Sequence, residues 1–298
     1  MADIQDRAKE RELIASIGPW PFTTRRTYRL PDGSHAVWHS RHHRKRLRAD
    51  IPAAEAEPPG VILLRSLWMP WHMSWWIGVI FAVGSSLFML GSVLSLSPWL
   101  SRSWSLDTHA LSTIFFAGSI PFTTAAYLQL FQAANARDVS RPRPPASRHV
   151  QFLGWRPGDI GWLSCALQFV GTLFFNLNTF DAMQPNLSWL RRDLAIWIPD
   201  FAGSVLFLLS GYLALAETCH AYWAWKPANL SWWVTFINLV GCVAFMVSAV
   251  FAFVPPDPPS IDSETISVTF TLFGALGFLI GSLLMLPETA APAKSSPA

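Results

Sequence analysis

Asn176, Asn178 and Asp181, in the stretch FFNLNTFD, are the densest set of polar groups inside any apolar run of this chain. Asn178 and Asp181 are three residues apart and share a helix face, whereas Asn176 and Asn178 lie about 200° apart at 3.6 residues per turn. Those three therefore cannot all face one narrow path. A small polar site opening outward around Asn178 and Asp181 is one reading, and hydrogen bonding between helices, for which Asn is a usual partner, is the other. Gln129, Gln168 and Asn238 are the remaining amides within apolar runs. Asp181, Asp200, Glu217 and His109 all fall at the ends of such runs, where water or headgroups are expected to reach them. A charge at the centre of a membrane helix costs about 2.5–3.5 kcal/mol and marks function by default; its absence argues against a proton-coupled pump.

A second concentration of chemistry is HSRHHRKRLR, with Arg41, Arg44, Lys45, Arg46 and Arg48 within eight residues. Beside a membrane, each basic residue gains about 1 kcal/mol from anionic lipid, so this run is expected to face the headgroups; a nucleic-acid partner is not needed to explain it. His39, His42 and His43 have helical spacing for a metal, but five neighbouring cations make a poor site, and no metal is expected. Cys165, Cys219 and Cys242 lack CxxC spacing and read as small buried residues. HExxH, GxSxG and the phosphate-binding loop are missing, as is a pair of buried carboxylates that could be driven to different protonation states. Neither enzyme activity nor a cofactor is expected.

The elements that must position these groups are set by composition. Hydrophobic residues make up 51% of the 298 positions and charged ones 14%, against about a quarter charged in ordinary soluble domains. Crossing a bilayer takes about 20 mostly apolar residues, and six such runs are present, near 75–97, 109–132, 159–180, 195–217, 232–254 and 266–286. Pro121 interrupts the second, which neighbouring helices can accommodate. Of the 22 Lys and Arg, 19 lie before the first run, after the second and fourth, or in the tail. Basic residues flanking helices are retained in the cytoplasm, so both termini are expected there, in a bacterial cytoplasmic membrane.

Aligned on a glycine, the six runs read GSSLFMLG, GSIPFTTA, GTLFFNLN, GSVLFLLS, GCVAFMVS and GALGFLIG. Phenylalanine stands four places after every glycine, giving the pairs Gly84 and Phe88, Gly118 and Phe122, Gly171 and Phe175, Gly203 and Phe207, Gly241 and Phe245, and Gly274 and Phe278. The seventh place is small in all but one, as at Gly91 and Gly281; the exception is Asn178. Within successive pairs of runs the glycines are 34, 32 and 33 residues apart. Such periodicity predicts three helical hairpins of similar construction, related as parallel repeats. Positions i, i+4 and i+7 share a face, and close approach at small residues supplies the packing that lipid does not drive.

The runs IGVIFAVGSSLFMLGS and LFGALGFLIGSLLMLPE resemble the YrhK-type membrane domain, a two-helix module rich in Gly-Ser-x-x-Phe patterns. The likeness is closest in the first and sixth runs, departs at Pro121 and Asn178, and leaves the first 70 or so residues uncovered. It implies architecture alone, since the family has no assigned activity.

Before the membrane, residues 3–17 are expected to form a short helix and GPWPF to break it. TYRL and HAVW flank PDGS, a turn signal, and predict a β-hairpin. The expected domains are thus a basic segment over 1–70, a six-helix membrane domain over 71–286 (hairpins near 75–132, 159–217 and 232–286) and a disordered tail over 287–298. Two functions fit this all-α membrane protein: a non-enzymatic scaffold or envelope component, in contact with anionic lipid or a protein partner and open to homo-oligomerisation, or a small-solute transporter with a path between hairpins.

Overall fold

The computed structural model describes residues 12–45, 47, 58–136, 149–184, 188–253 and 262–291. The chain opens with an antiparallel sheet of β1 (Glu12–Ile17), β2 (Arg25–Arg29) and β3 (His35–His39), in that spatial order. The PDGS turn joins β2 to β3: Gly33 takes a positive φ of 80° and Asp32 accepts the Ser34 amide at 2.9 Å. The expected helix over 3–17 is corrected, because residues 12–17 are a strand and 3–11 lie outside the described residues. An isolated helix of that length is marginal in water, whereas the edge of β2 satisfies the backbone of β1 directly. Two short helices follow, α1 (Ser40–Lys45) and α2 (Pro59–Ser66).

Six long helices are apolar enough to cross a membrane, and the protein is a multi-pass membrane protein. They are α3 (Met73–Leu96), then, after the short α4 (Pro98–Ser103), α5 (Thr108–Ala134), α6 (Ile160–Asp181), α7 (Trp189–Cys219), α8 (Leu230–Phe251) and α9 (Ser263–Ala290). The shortest has 22 residues, rising about 33 Å against a hydrocarbon layer of about 30 Å. Side chains of Asp107, Asp159, Asn229 and Asp262 accept first-turn amides and fix four of the starts. Pro121 lies within an unbroken α5. The end of α9 includes Pro287 and Glu288, which corrects the expected start of the tail; residues 292–298 lie outside the described residues.

Each long helix packs on its neighbours in sequence, and α9 returns to α3, so the six close into a ring. Within each hairpin the glycine of one helix receives the phenylalanine ring of the other, in both directions. A Cβ on Gly84 would stand 2.6 Å from Phe122, and one on Gly118 2.9 Å from Phe88. The same exchange pairs Gly171 with Phe207 and Gly203 with Phe175, then Gly241 with Phe278 and Gly274 with Phe245. Gly91 packs on Phe115, while Gly281 has only ordinary contacts. Hydroxyl bonds add to this packing: Ser164 and Ser210 exchange bonds with each other's carbonyls, and Ser204 donates to the Phe245 carbonyl.

All six rings are buried and meet on the axis in two layers. In one, Phe278 lies 5.4 Å from Phe122 and 5.6 Å from Phe207; in the other, Phe245 lies 5.8 Å from Phe175 and 6.3 Å from Phe88. The void that five of these rings line together with Ser119 and Thr172 is about 10 Å³, at the lower limit of the roughly 10–15 Å³ that a single water requires. At this level the ring has no room for a continuous file of water. The end of the bundle bearing the sheet is called proximal below, and the opposite end distal.

Candidate functional site

The proximal mouth is stoppered by α1, a six-residue helix that reaches all three hairpins. Counting 14 residues beyond the aligned glycines of the even runs reaches Gln132, Glu217 and Glu288; counting ten before those of the odd runs reaches Ser74, Gly161 and Ser231. These residues form a crown around α1. Arg44 Nη2 donates to Glu217 Oε2 at 2.6 Å, and Ser40 donates to the same carboxylate. Arg41 donates to Glu288 at 3.0 Å, and Lys45 pairs with that carboxylate from its other side. The first hairpin is held differently: Gln132 donates to Ser74, whose hydroxyl donates to the Lys45 carbonyl.

Gly161 stands where the other hairpins have serine, because a Cβ there would lie 2.6 Å from both Arg44 Nε and Glu217 Oε1. Burial opposes the charge on Arg44, but Glu217, Cys165 and Asp159 outweigh it and hold the guanidinium firmly protonated. Burial draws Lys45 down to about 8 against the pull of Glu288. Asp159, beside this cluster, is raised by burial and by the charge of Glu217, with Arg44 opposing.

The described cations of the basic run therefore do not face lipid. Arg41, Arg44 and Lys45 are buried against glutamates, which corrects that expectation; Arg46 and Arg48 lie outside the described residues. Glu217 is likewise fully buried, contrary to the expectation that water or headgroups reach it. Buried cations need counter-charges, and the carboxylates at the ends of α7 and α9 supply them. A further repeat in the sequence lies beside these glutamates: Trp68-x-Pro70, Trp155-x-Pro157 and Trp225-x-Pro227 each precede a second tryptophan by seven residues. In every case the two rings pack edge to face, at 5.7, 5.5 and 4.7 Å.

The sheet is tied down by a histidine pair. His39 Nδ1 lies 3.0 Å from His220 Nε2, and His220 Nδ1 lies 3.0 Å from Thr24 Oγ1. His220 ends α7 in the left-handed conformation, φ 58°. Burial, then the charges of His42, Arg25 and Lys226, lowers His39 to about 4; burial, then His39 and those cations, lowers His220 to about 3. Among the described residues, no three metal-ligating side chains converge.

At the distal end a cavity of about 210 Å³ lies above the phenylalanines, with Phe88, Phe175 and Phe245 among its lining residues. Asn178 lines it, but Asn176 and Asp181 do not. Asp181 accepts from Gln184 in the following turn, and the carbonyl oxygen of the Asn176 side chain is buried without a hydrogen-bond partner. Asn176 and Asn178 thus diverge as their spacing implies, and the expected pairing of Asn178 with Asp181 in one site is not formed. Instead Asn178 hydrogen-bonds Asp200, and Asp193 and Trp197 join the wall from a π-helical turn, Asp193–Trp197, that follows the first four residues of α7. Such turns are frequent at functional sites because they re-aim side chains. A hydroxyl cluster lies opposite, with Ser248 within 2.7 Å of Thr271 and 3.2 Å of Ser267.

No family model, curated protein or solved structure matches this chain.

Proposed function

We propose that this protein is a non-enzymatic membrane scaffold, in which a sealed six-helix ring holds a small sheet domain at one membrane face. The observation that carries this reading is α1: one six-residue helix, bonded to all three hairpins, closes the proximal mouth while the phenylalanine layers close the middle. Both closures are made by structural packing, buried ion pairs at α1 and interlocked glycine–phenylalanine contacts in the middle. The three hairpins are read as copies of one two-helix module of the YrhK type. The reciprocal glycine–phenylalanine exchange and the recurring Gln132, Glu217 and Glu288 support that reading. The concentration of Lys and Arg on one side of the spans supports a reading in which the proximal end faces the cytoplasm, across a bacterial cytoplasmic membrane.

The rival is a small-solute transporter caught closed, which the distal cavity favours. Full-length protein in liposomes decides between them by osmotic swelling with glycerol and urea and by potassium flux. The scaffold reading expects rates equal to empty liposomes. Flux above that background, abolished by Asn178→Leu, would overturn it.

A further inference from the structure

The distal cavity has a chemistry that neither seal requires. Asp200 is an ionisable carboxylate on its wall, with Asn178 as its side-chain hydrogen-bonding partner. A carboxylate offers about four acceptor sites, so one amide donor leaves most of that capacity open to a further partner. A second carboxylate, Asp193, and the Trp197 ring stand on the adjacent π-helical turn. Phe88, Phe175 and Phe245 contribute aromatic surface from the sealed layer.

Carboxylates over aromatic rings form the environment that binds organic ammonium ions, which are drawn both to the anionic charge and to the negative faces of the rings. Hard inorganic cations prefer a close shell of six or more oxygens, whereas the hydroxyls of Ser248, Ser267 and Thr271 are bonded to one another and the cavity, at about 210 Å³, is far larger than one such ion. The one cation in the lining, Arg192, has an exposed side chain and so belongs to the rim. We propose that the distal cavity is a binding site for a small organic ammonium ion, with Asp200 as its counter-charge and the odd-run phenylalanines as its apolar contact. The site stands independently of the scaffold reading, since a sealed receptor and a closed transporter could equally present it.

Tetramethylammonium chloride is the probe, titrated calorimetrically into the full-length protein in detergent, with sodium chloride and sodium acetate as controls. Saturable binding of tetramethylammonium alone is expected. Asp200→Asn should weaken it about tenfold or more, as loss of a charged partner does. Because Asp200→Asn could impair folding, Arg192→Ala on the exposed rim serves as the second variant, and it should leave tetramethylammonium affinity unchanged or higher. Absence of saturable binding by the wild type, equal binding of sodium or acetate, or weaker tetramethylammonium binding in Arg192→Ala would each overturn the proposal.

Discussion

Arg44 and Glu217 are 173 residues apart in sequence and 2.6 Å apart in space, with the guanidinium and the carboxylate both buried. Their contact joins a basic turn next to the sheet to the end of the fourth membrane helix. Removing one partner of a buried pair strands the other, at a cost of about 3–5 kcal/mol, whereas replacing both with apolar side chains can be neutral. Arg44→Ala or Glu217→Ala should therefore each lower stability strongly in denaturant titrations. The double variant Arg44→Met with Glu217→Leu should recover most of the loss; equal loss in the double variant would mean that the pair itself holds α1 in place.

Gly161 provides a narrower test of the same lock. A methyl group at this position meets Arg44 Nε and Glu217 Oε1 at 2.6 Å, and overpacking of this kind costs about 1–3 kcal/mol. Gly161→Ala should expose α1 to limited proteolysis while the six helices retain their circular dichroism. Ser231→Ala, which leaves room, should have a smaller effect.

The membrane glycines divide by what their missing side chains would touch. Gly171→Ala drives a methyl group to 2.7 Å from Phe207, whereas Gly281→Ala finds its nearest neighbour at 3.5 Å. The first should be destabilising, and the second neutral or stabilising by up to about 1 kcal/mol, the helix preference of Ala over Gly. Thermal unfolding of the two variants side by side checks this contrast.

Docking of the sheet should depend on pH through His39 and His220. Both imidazoles hold protons more weakly when docked, at about 4 and about 3, than their ordinary 6.5. The released segment thus takes up more protons as pH falls below 6.5, so docking is at full strength above that value and is lost progressively toward pH 3. Protease sensitivity of residues 12–45 should rise across that window in the wild type. In His39→Gln the dependence should be flatter.

Phe278 touches Phe122, Phe207 and Phe245, and so bridges both aromatic layers. Phe278→Ala should cost about 3–5 kcal/mol, as large-to-small changes at packed aromatics do. With α1 still in place, water permeability in liposomes should stay at background, and it should rise only when the proximal seal is opened as well, as in Phe278→Ala combined with Gly161→Ala. Background permeability in that double variant would show that these two features are not what closes the axis.

The six spans, the β2–β3 hairpin and the inward glycine–phenylalanine faces were legible in the chain because each rests on local pattern. Apolar run length, the PDGS turn and helical spacing all act within a few residues of one another. The strand at 12–17 was not legible, since its conformation depends on an edge supplied by β2. The recurring Trp-x-Pro motifs and the polar residue 14 places beyond each even-run glycine were present in the sequence, but their meaning required knowing that α1 enters the crown.

By itself, the sequence determined that this chain spans a membrane with six helices in three hairpins, because hydrophobicity and small-residue spacing are properties of single segments. Only the tertiary structure decided where the charges go. Arg41, Arg44 and Lys45 suit a lipid surface equally well until Glu217 and Glu288 are brought to them, and Asp200 belongs to a site only once Asn178 and the odd-run phenylalanines share its cavity. Electrostatic partners of this kind lie far apart along the chain, and ring closure of the six helices is what makes them neighbours.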